Sequence, residues 1–103
     1  MAEYVKAAQL KDVPPGSMHV VQVDGEQVVL ANVDGQLFAF GGVCTHRGGP
    51  LAEGDLLGTV VTCPWHAGQF DVRTGEVVSR PPAEPVATYQ VQVEGDDIKV
   101  ARV

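Results

Sequence analysis

The chain has 103 residues, of which 45% are apolar and 19% charged, and its net charge is −6. That length fits one domain, able to bury roughly 65% of its extended-chain surface. The apolar content excludes a disordered chain, and no run approaches the roughly 18 apolar residues of a membrane span. The acidic balance disfavours nucleic acid and anionic membrane surfaces, both of which need clustered Lys and Arg. It favours a partner carrying a basic patch.

Met1-Ala2-Glu3-Tyr4-Val5-Lys6 places no basic head before an apolar run, so no signal peptide is expected and the protein is expected in the cytoplasm. Pro14-Pro15-Gly16 marks a turn. Three Val-rich or aromatic runs follow: Met18 to Val23 ends at Asp24-Gly25, Gln27 to Val33 ends at Asp34-Gly35, and Gln36 to Phe40 ends at Gly41-Gly42. Asp-Gly between apolar runs is a strong hairpin signal, because the turn needs positive φ. Two Gly/Pro-rich loops occupy the middle, Val43 to Pro50 and Cys63 to Gly68, with a strand-like Thr59 to Thr62 leading into the second. Asp71 to Gly75 reads as a turn, and Pro81-Pro82 stiffens a loop or ends a strand. Ala87 to Val93 alternates in type as a strand with one wet face should, and after Glu94 to Asp97 the last run is Ile98 to Val103. Short strands with turn punctuation and almost no helical patterning predict an all-β fold, an antiparallel sandwich or barrel. No linker or repeat divides the chain, so one domain over 1–103 is expected, and without an evident apolar patch, a monomer.

The loops hold both cysteines and two of the three histidines, as Cys44-Thr45-His46 and Cys63-Pro64-Trp65-His66. Sixteen residues separate His46 from Cys63. Each loop offers one soft thiolate and one imidazole, and together they make a two-sulfur, two-nitrogen set that suits zinc or an iron–sulfur centre. A disulfide is the bland alternative, but nothing signals an oxidising compartment, and it leaves the paired histidines unexplained. A structural zinc module is a second alternative. Such modules are usually too small to fold without metal, whereas this chain has strands enough for its own core.

The stretches Cys44-Thr45-His46-Arg47-Gly48-Gly49-Pro50-Leu51 and Cys63-Pro64-Trp65-His66-Ala67-Gly68-Gln69-Phe70-Asp71-Val72-Arg73-Thr74-Gly75-Glu76 resemble the Rieske family, specifically the small ferredoxins of bacterial ring-hydroxylating dioxygenase systems. A weaker likeness runs over the whole chain and includes Pro81-Pro82-Ala83-Glu84-Pro85. The resemblance implies a Rieske-type antiparallel β-sandwich or barrel with two cluster-binding loops in a small subdomain, the cluster-binding part at about 43–70. It implies one [2Fe–2S] cluster per chain, with Cys44 and Cys63 on the inner iron and His46 and His66 on the outer iron through Nδ1. It also implies two partners, an NAD(P)H-dependent flavin reductase and a terminal oxygenase acting on aromatic rings. Ala67 departs from the family pattern, where glycine commonly follows the second histidine.

Two imidazoles in place of two thiolates leave the oxidised cluster neutral instead of dianionic, so an added electron is less opposed and the potential rises, within about −150 to +300 mV. High-potential members of the family carry two further cysteines that bridge the loops, and a Ser and a Tyr whose hydroxyls donate to sulfur. The matching positions here are Gly49 and Trp65, then Gly68 and Phe70. Losing those donors predicts the low end of the range. Imidazole ligation also links reduction to protons, so the potential is expected to fall once pH passes a ligand histidine's oxidised-state pKa.

Other residues carry lesser readings. His19 is expected at the surface, and Trp65 either as an apolar lid over the cluster or as ordinary packing. Arg47 is read as a solvated charge or part of a docking rim, and Gly48-Gly49-Pro50 as letting backbone approach cluster sulfur. Glu53, Asp55, Glu84, Glu94, Asp96 and Asp97 are read as mostly solvated charges, a subset of which could steer partners. The catalytic subunit of an oxygenase would need a further iron site of two histidines and a carboxylate. With His46 and His66 assigned, only His19 remains, so no catalytic residue is expected. A Rieske-like small subunit of a nitrite reductase assembly is the remaining alternative. Members of that group often lack the four ligands, whereas this chain has all of them.

Overall fold

The computed structural model describes residues 4–43, 49–65, 68–79 and 84–102. Among the described residues ten strands run β1 Val5–Gln9, β2 Met18–Val23, β3 Glu26–Val33, β4 Gln36–Gly41, β5 Asp55–Leu57, β6 Val60–Thr62, β7 Gln69–Asp71, β8 Val77–Ser79, β9 Thr88–Glu94 and β10 Asp97–Arg102. Two single turns of 3-10 helix, Leu10–Asp12 and Leu51–Glu53, complete the described elements. No helix among the described residues is long and apolar enough to cross a membrane.

The expected Asp-Gly turns form. Asp24 and Gly25 have φ of 51° and 81°, and Asp34 and Gly35 of 53° and 91°, the left-handed pair that matches the twist of the flanking strands. They join β2, β3 and β4 into a meander with Val20 opposite Val29 and Leu30 opposite Ala39. The six-stranded sheet has the order β1-β10-β9-β4-β3-β2. Its edge strands β1 and β2 approach each other, so the antiparallel sheet nearly closes. A second sheet, β5-β6-β7-β8, is inserted between β4 and β9.

Strand β3 is the wall between two cores. Val28, Val29, Leu30 and Ala31 are all fully buried although neighbours along a strand point to opposite faces. Val29 and Ala31 join Phe40, Leu51, Val61, Cys63, Phe70 and Val72 in one cluster. Val28 and Leu30 join Ala39, Ile98 and Val100 in the other. That double burial explains a run with no polar interruption from Val28 to Ala31. The first core holds the inserted sheet against the barrel, so the loops of that sheet stand on a packed base.

The all-β expectation holds, with differences at element ends. Strands β1, β5, β7 and β8 are additional to the expected runs, being three to five residues long and too short to show a period, and Asp71, expected in a turn, closes β7. Thr59 lies in the turn between Leu57 and Val60, which pair across it. Asp97 opens β10, leaving Gly95-Asp96 as the turn. The expected Pro14-Pro15-Gly16 turn is present, closed by Ser17 N–H donating to the Pro14 carbonyl at 3.1 Å. Val103 and the Pro81-Pro82 segment lie outside the described residues.

Candidate metal centre

Both loops are clamped at their bases by backbone. The first begins where Gly42 N–H donates to the Gln27 carbonyl at 3.0 Å, and it closes where Leu51 N–H donates to the Gly42 carbonyl at 3.0 Å. An isolated bridge pairs Val43 with Pro50 between them. The second loop joins β6 to β7 and closes where Cys63 N–H donates to the Gly68 carbonyl at 2.7 Å. One pair further down, Gln69 Nε2 donates to Thr62 Oγ1 at 3.2 Å. Each loop is thus a short excursion on a rigid hairpin, the usual way a β scaffold presents reactive side chains.

Cys63 is a free thiol and only 2% exposed. Its sulfur meets the first loop at Gly49, where a Cβ would lie 2.6 Å from Cys63 Sγ and 3.3 Å from Trp65 Cγ and Cδ2. Gly49 is three positions after His46. The two loops therefore touch at the one cysteine sulfur among the described residues, through a gap that only glycine leaves open. Cys44, His46 and His66 lie outside the described residues, as do Arg47, Gly48 and Ala67.

Trp65 is 57% exposed, and its ring faces Gly49 through Cγ and Cδ2. A hollow of about 470 Å³ lies beside it, lined by Glu53, Gly54, Asp55, Thr62, Cys63, Pro64 and Trp65. Phe70 is fully buried in the same core as Cys63 and brings no hydroxyl to it. Asp71 and Arg73 form an ion pair at 2.8 Å at the far end of β7. The Arg73 hydrogen bond holds the Asp71 carboxyl below its usual value.

A model of the Rieske [2Fe–2S] domain matches residues 3–90. The chain belongs to the Rieske [2Fe–2S] domain family. It is 45% identical to the biphenyl dioxygenase ferredoxin subunit of Pseudomonas sp. strain KKS102, over 94% of this chain and 90% of that one. Among solved structures, the ferredoxin of carbazole 1,9a-dioxygenase from Nocardioides aromaticivorans IC177 superposes with a TM-score of 0.92 at 33% identity, over 97% of this chain and 98% of that one. A ferredoxin-bearing complex of reduced oxygenase and oxidized ferredoxin in carbazole 1,9a-dioxygenase matches with a TM-score of 0.89 at 33% identity, covering 95% of this chain and 92% of the matched chain.

The cofactor of this Rieske domain is a [2Fe–2S] cluster, and the site fits it. A buried thiol is free to serve as thiolate, and the missing side chain of Gly49 lets the first loop come up against its sulfur. Among residues that no sequence motif singles out, Gly54 matters most. A Cβ there would collide with the Thr62 carbonyl, so the 3-10 turn after the first loop can cross β6 directly before Cys63. The Gly-Asp punctuation at 54–55 is the only sequence signal for it. His19, expected at the surface, is half-buried on β2.

Proposed function

We propose that this chain is a one-electron carrier. It takes electrons from an NAD(P)H-dependent flavin reductase and passes them to a terminal oxygenase of the aromatic-ring dioxygenase class. The cluster is held by Cys44, Cys63, His46 and His66 in a single domain spanning 1–103 that works in the cytoplasm. The observation that carries this reading is the seating of Cys63 Sγ against Gly49, which puts the two ligand-bearing loops in contact. Its support from relatives is the 45% identity to a dioxygenase ferredoxin and the structural likeness to a ferredoxin in complex with its oxygenase.

When bound, the cluster supplies a one-electron couple. The chain's own residues set its surroundings. The clamped loop bases keep reorganisation small. Phe70, buried where high-potential members carry a hydroxyl, leaves the reduced state less stabilised, which favours a low potential. Glu53 and Asp55 are exposed beside Trp65 and suit a brief, salt-sensitive encounter with a basic partner surface. The reading as a small subunit of a nitrite reductase assembly is less favoured, since the 45% match is to a dioxygenase component.

The test is reconstitution with the reductase and oxygenase components of a biphenyl dioxygenase system. Dihydrodiol formation that needs this chain supports the proposal. A chain that dithionite reduces but that restores no product formation overturns the partner assignment. A potential well above zero overturns the low-potential part.

A further inference from the structure

We propose that Gly49 is a positioning residue for Cys63, an inference that rests on reading Cys63 as a cluster ligand. Its missing side chain seats the Cys63 sulfur and the Trp65 ring at one point of the first loop. That seat fixes the spacing of the two loops and shields the sulfur from water.

The geometry leaves little slack. A methyl group at 49 would stand 2.6 Å from Sγ and 3.3 Å from the ring, so either the sulfur or the ring must move. The ring can move, since Trp65 is 57% exposed. The sulfur cannot move easily, since Cys63 is 2% exposed in a core with Phe70, Val61 and Leu51 and its amide is bonded to Gly68. Displacing Trp65 opens Cys63 to the hollow that already borders both residues. Water there would stabilise the extra negative charge of the reduced centre, because solvent exposure and hydrogen bonds to sulfur raise such potentials.

The holoprotein is compared with Gly49→Ala, Trp65→Ala and a control, Gly41→Ala, where a Cβ finds its first neighbour, Ala87 N, at 3.8 Å. Iron content, the electron paramagnetic resonance of the reduced form and the midpoint potential are measured for each. The control is expected to match the wild type. Gly49→Ala and Trp65→Ala are expected to shift the potential upward, and Gly49→Ala to change the resonance line shape as well. Loss of iron from Gly49→Ala with its β circular dichroism intact also supports the seat. Should Gly49→Ala fail to fold, Trp65→Ala decides, since it opens the same seat without a clash. A Gly49→Ala protein with full iron and wild-type potential and line shape overturns the proposal, as does an unmoved potential in Trp65→Ala. A wild-type chain with no iron signal overturns the ligand reading, and the proposal with it.

Discussion

Leu51 N–H donates to the Gly42 carbonyl at 3.0 Å, so the first ligand loop leaves and rejoins the scaffold at one point. Leu51 also anchors that point, being fully buried among Phe40, Val61, Phe70 and Val72. Core and loop are therefore coupled through one residue. Leu51→Ala is expected to destabilise the protein by about 3 kcal/mol, as a large-to-small core change does, and to speed iron loss at temperatures where the fold persists. Urea unfolding and the decay of visible absorbance check the two effects. Destabilisation without faster iron loss would mean that the loop does not depend on this anchor.

Asn32 ties the other end of the meander. Its Nδ2 donates to the Val13 carbonyl at 2.7 Å, and its Oδ1 accepts from Gly35 N–H at 2.8 Å. It is 6% exposed, so Asn32→Ala strands the buried Val13 carbonyl and removes the partner of Gly35 N–H in the exposed turn. A loss of about 2 kcal/mol is expected in urea unfolding, with the potential unchanged.

Asp71 gives the pH dependence. Its carboxyl accepts from Arg73 Nη2 at 2.8 Å and Nε at 3.1 Å, and these bonds lower its pKa from 3.8. The folded state thus holds the charged form more strongly than the unfolded state does. Its contribution is present above the ordinary carboxylate pKa and is lost as pH falls through the lower folded value. Wild type and Asp71→Asn should differ in urea midpoint at neutral pH and converge in acid. The gap should be small and shrink with salt, because Arg73 is exposed.

Removing the cluster should loosen one core and spare the other. The cluster of Val28, Leu30, Ala39, Ile98 and Val100 contains no residue from the inserted sheet, whereas Cys63 belongs to the first. In the iron-free protein, or in Cys63→Ala, amides of β3 and β10 should keep slow hydrogen exchange while those of Leu51, Cys63 and Val72 speed up. Uniform loss of protection would show that the barrel does not stand alone.

The meander and the chemistry of the centre are legible in the amino-acid sequence. The Asp-Gly turns and Val-rich runs give the meander because positive φ and period-two burial are local demands. The paired Cys-x-His and Cys-x-x-His motifs name their chemistry because few centres want two thiolates and two imidazoles. Less legible is everything that depends on distant neighbours. Strands β5 and β8 are too short to carry a period. The clamp from Leu51 to Gly42 has no residue-type signature, because backbone makes it. The crowding at Gly49 and Gly54 arises from chain segments that meet only after folding. Trp65 reads equally well as packing or lid, and its exposure is fixed by how the second loop turns.

Iron and sulfide analysis of the purified protein, with electron paramagnetic resonance after reduction, tests the central claim most directly. One diiron cluster per chain is expected, with a resonance distinct from that of a cluster held by four thiolates. Colourless protein, zinc in place of iron, or the spectrum of a cluster held by four thiolates would contradict it.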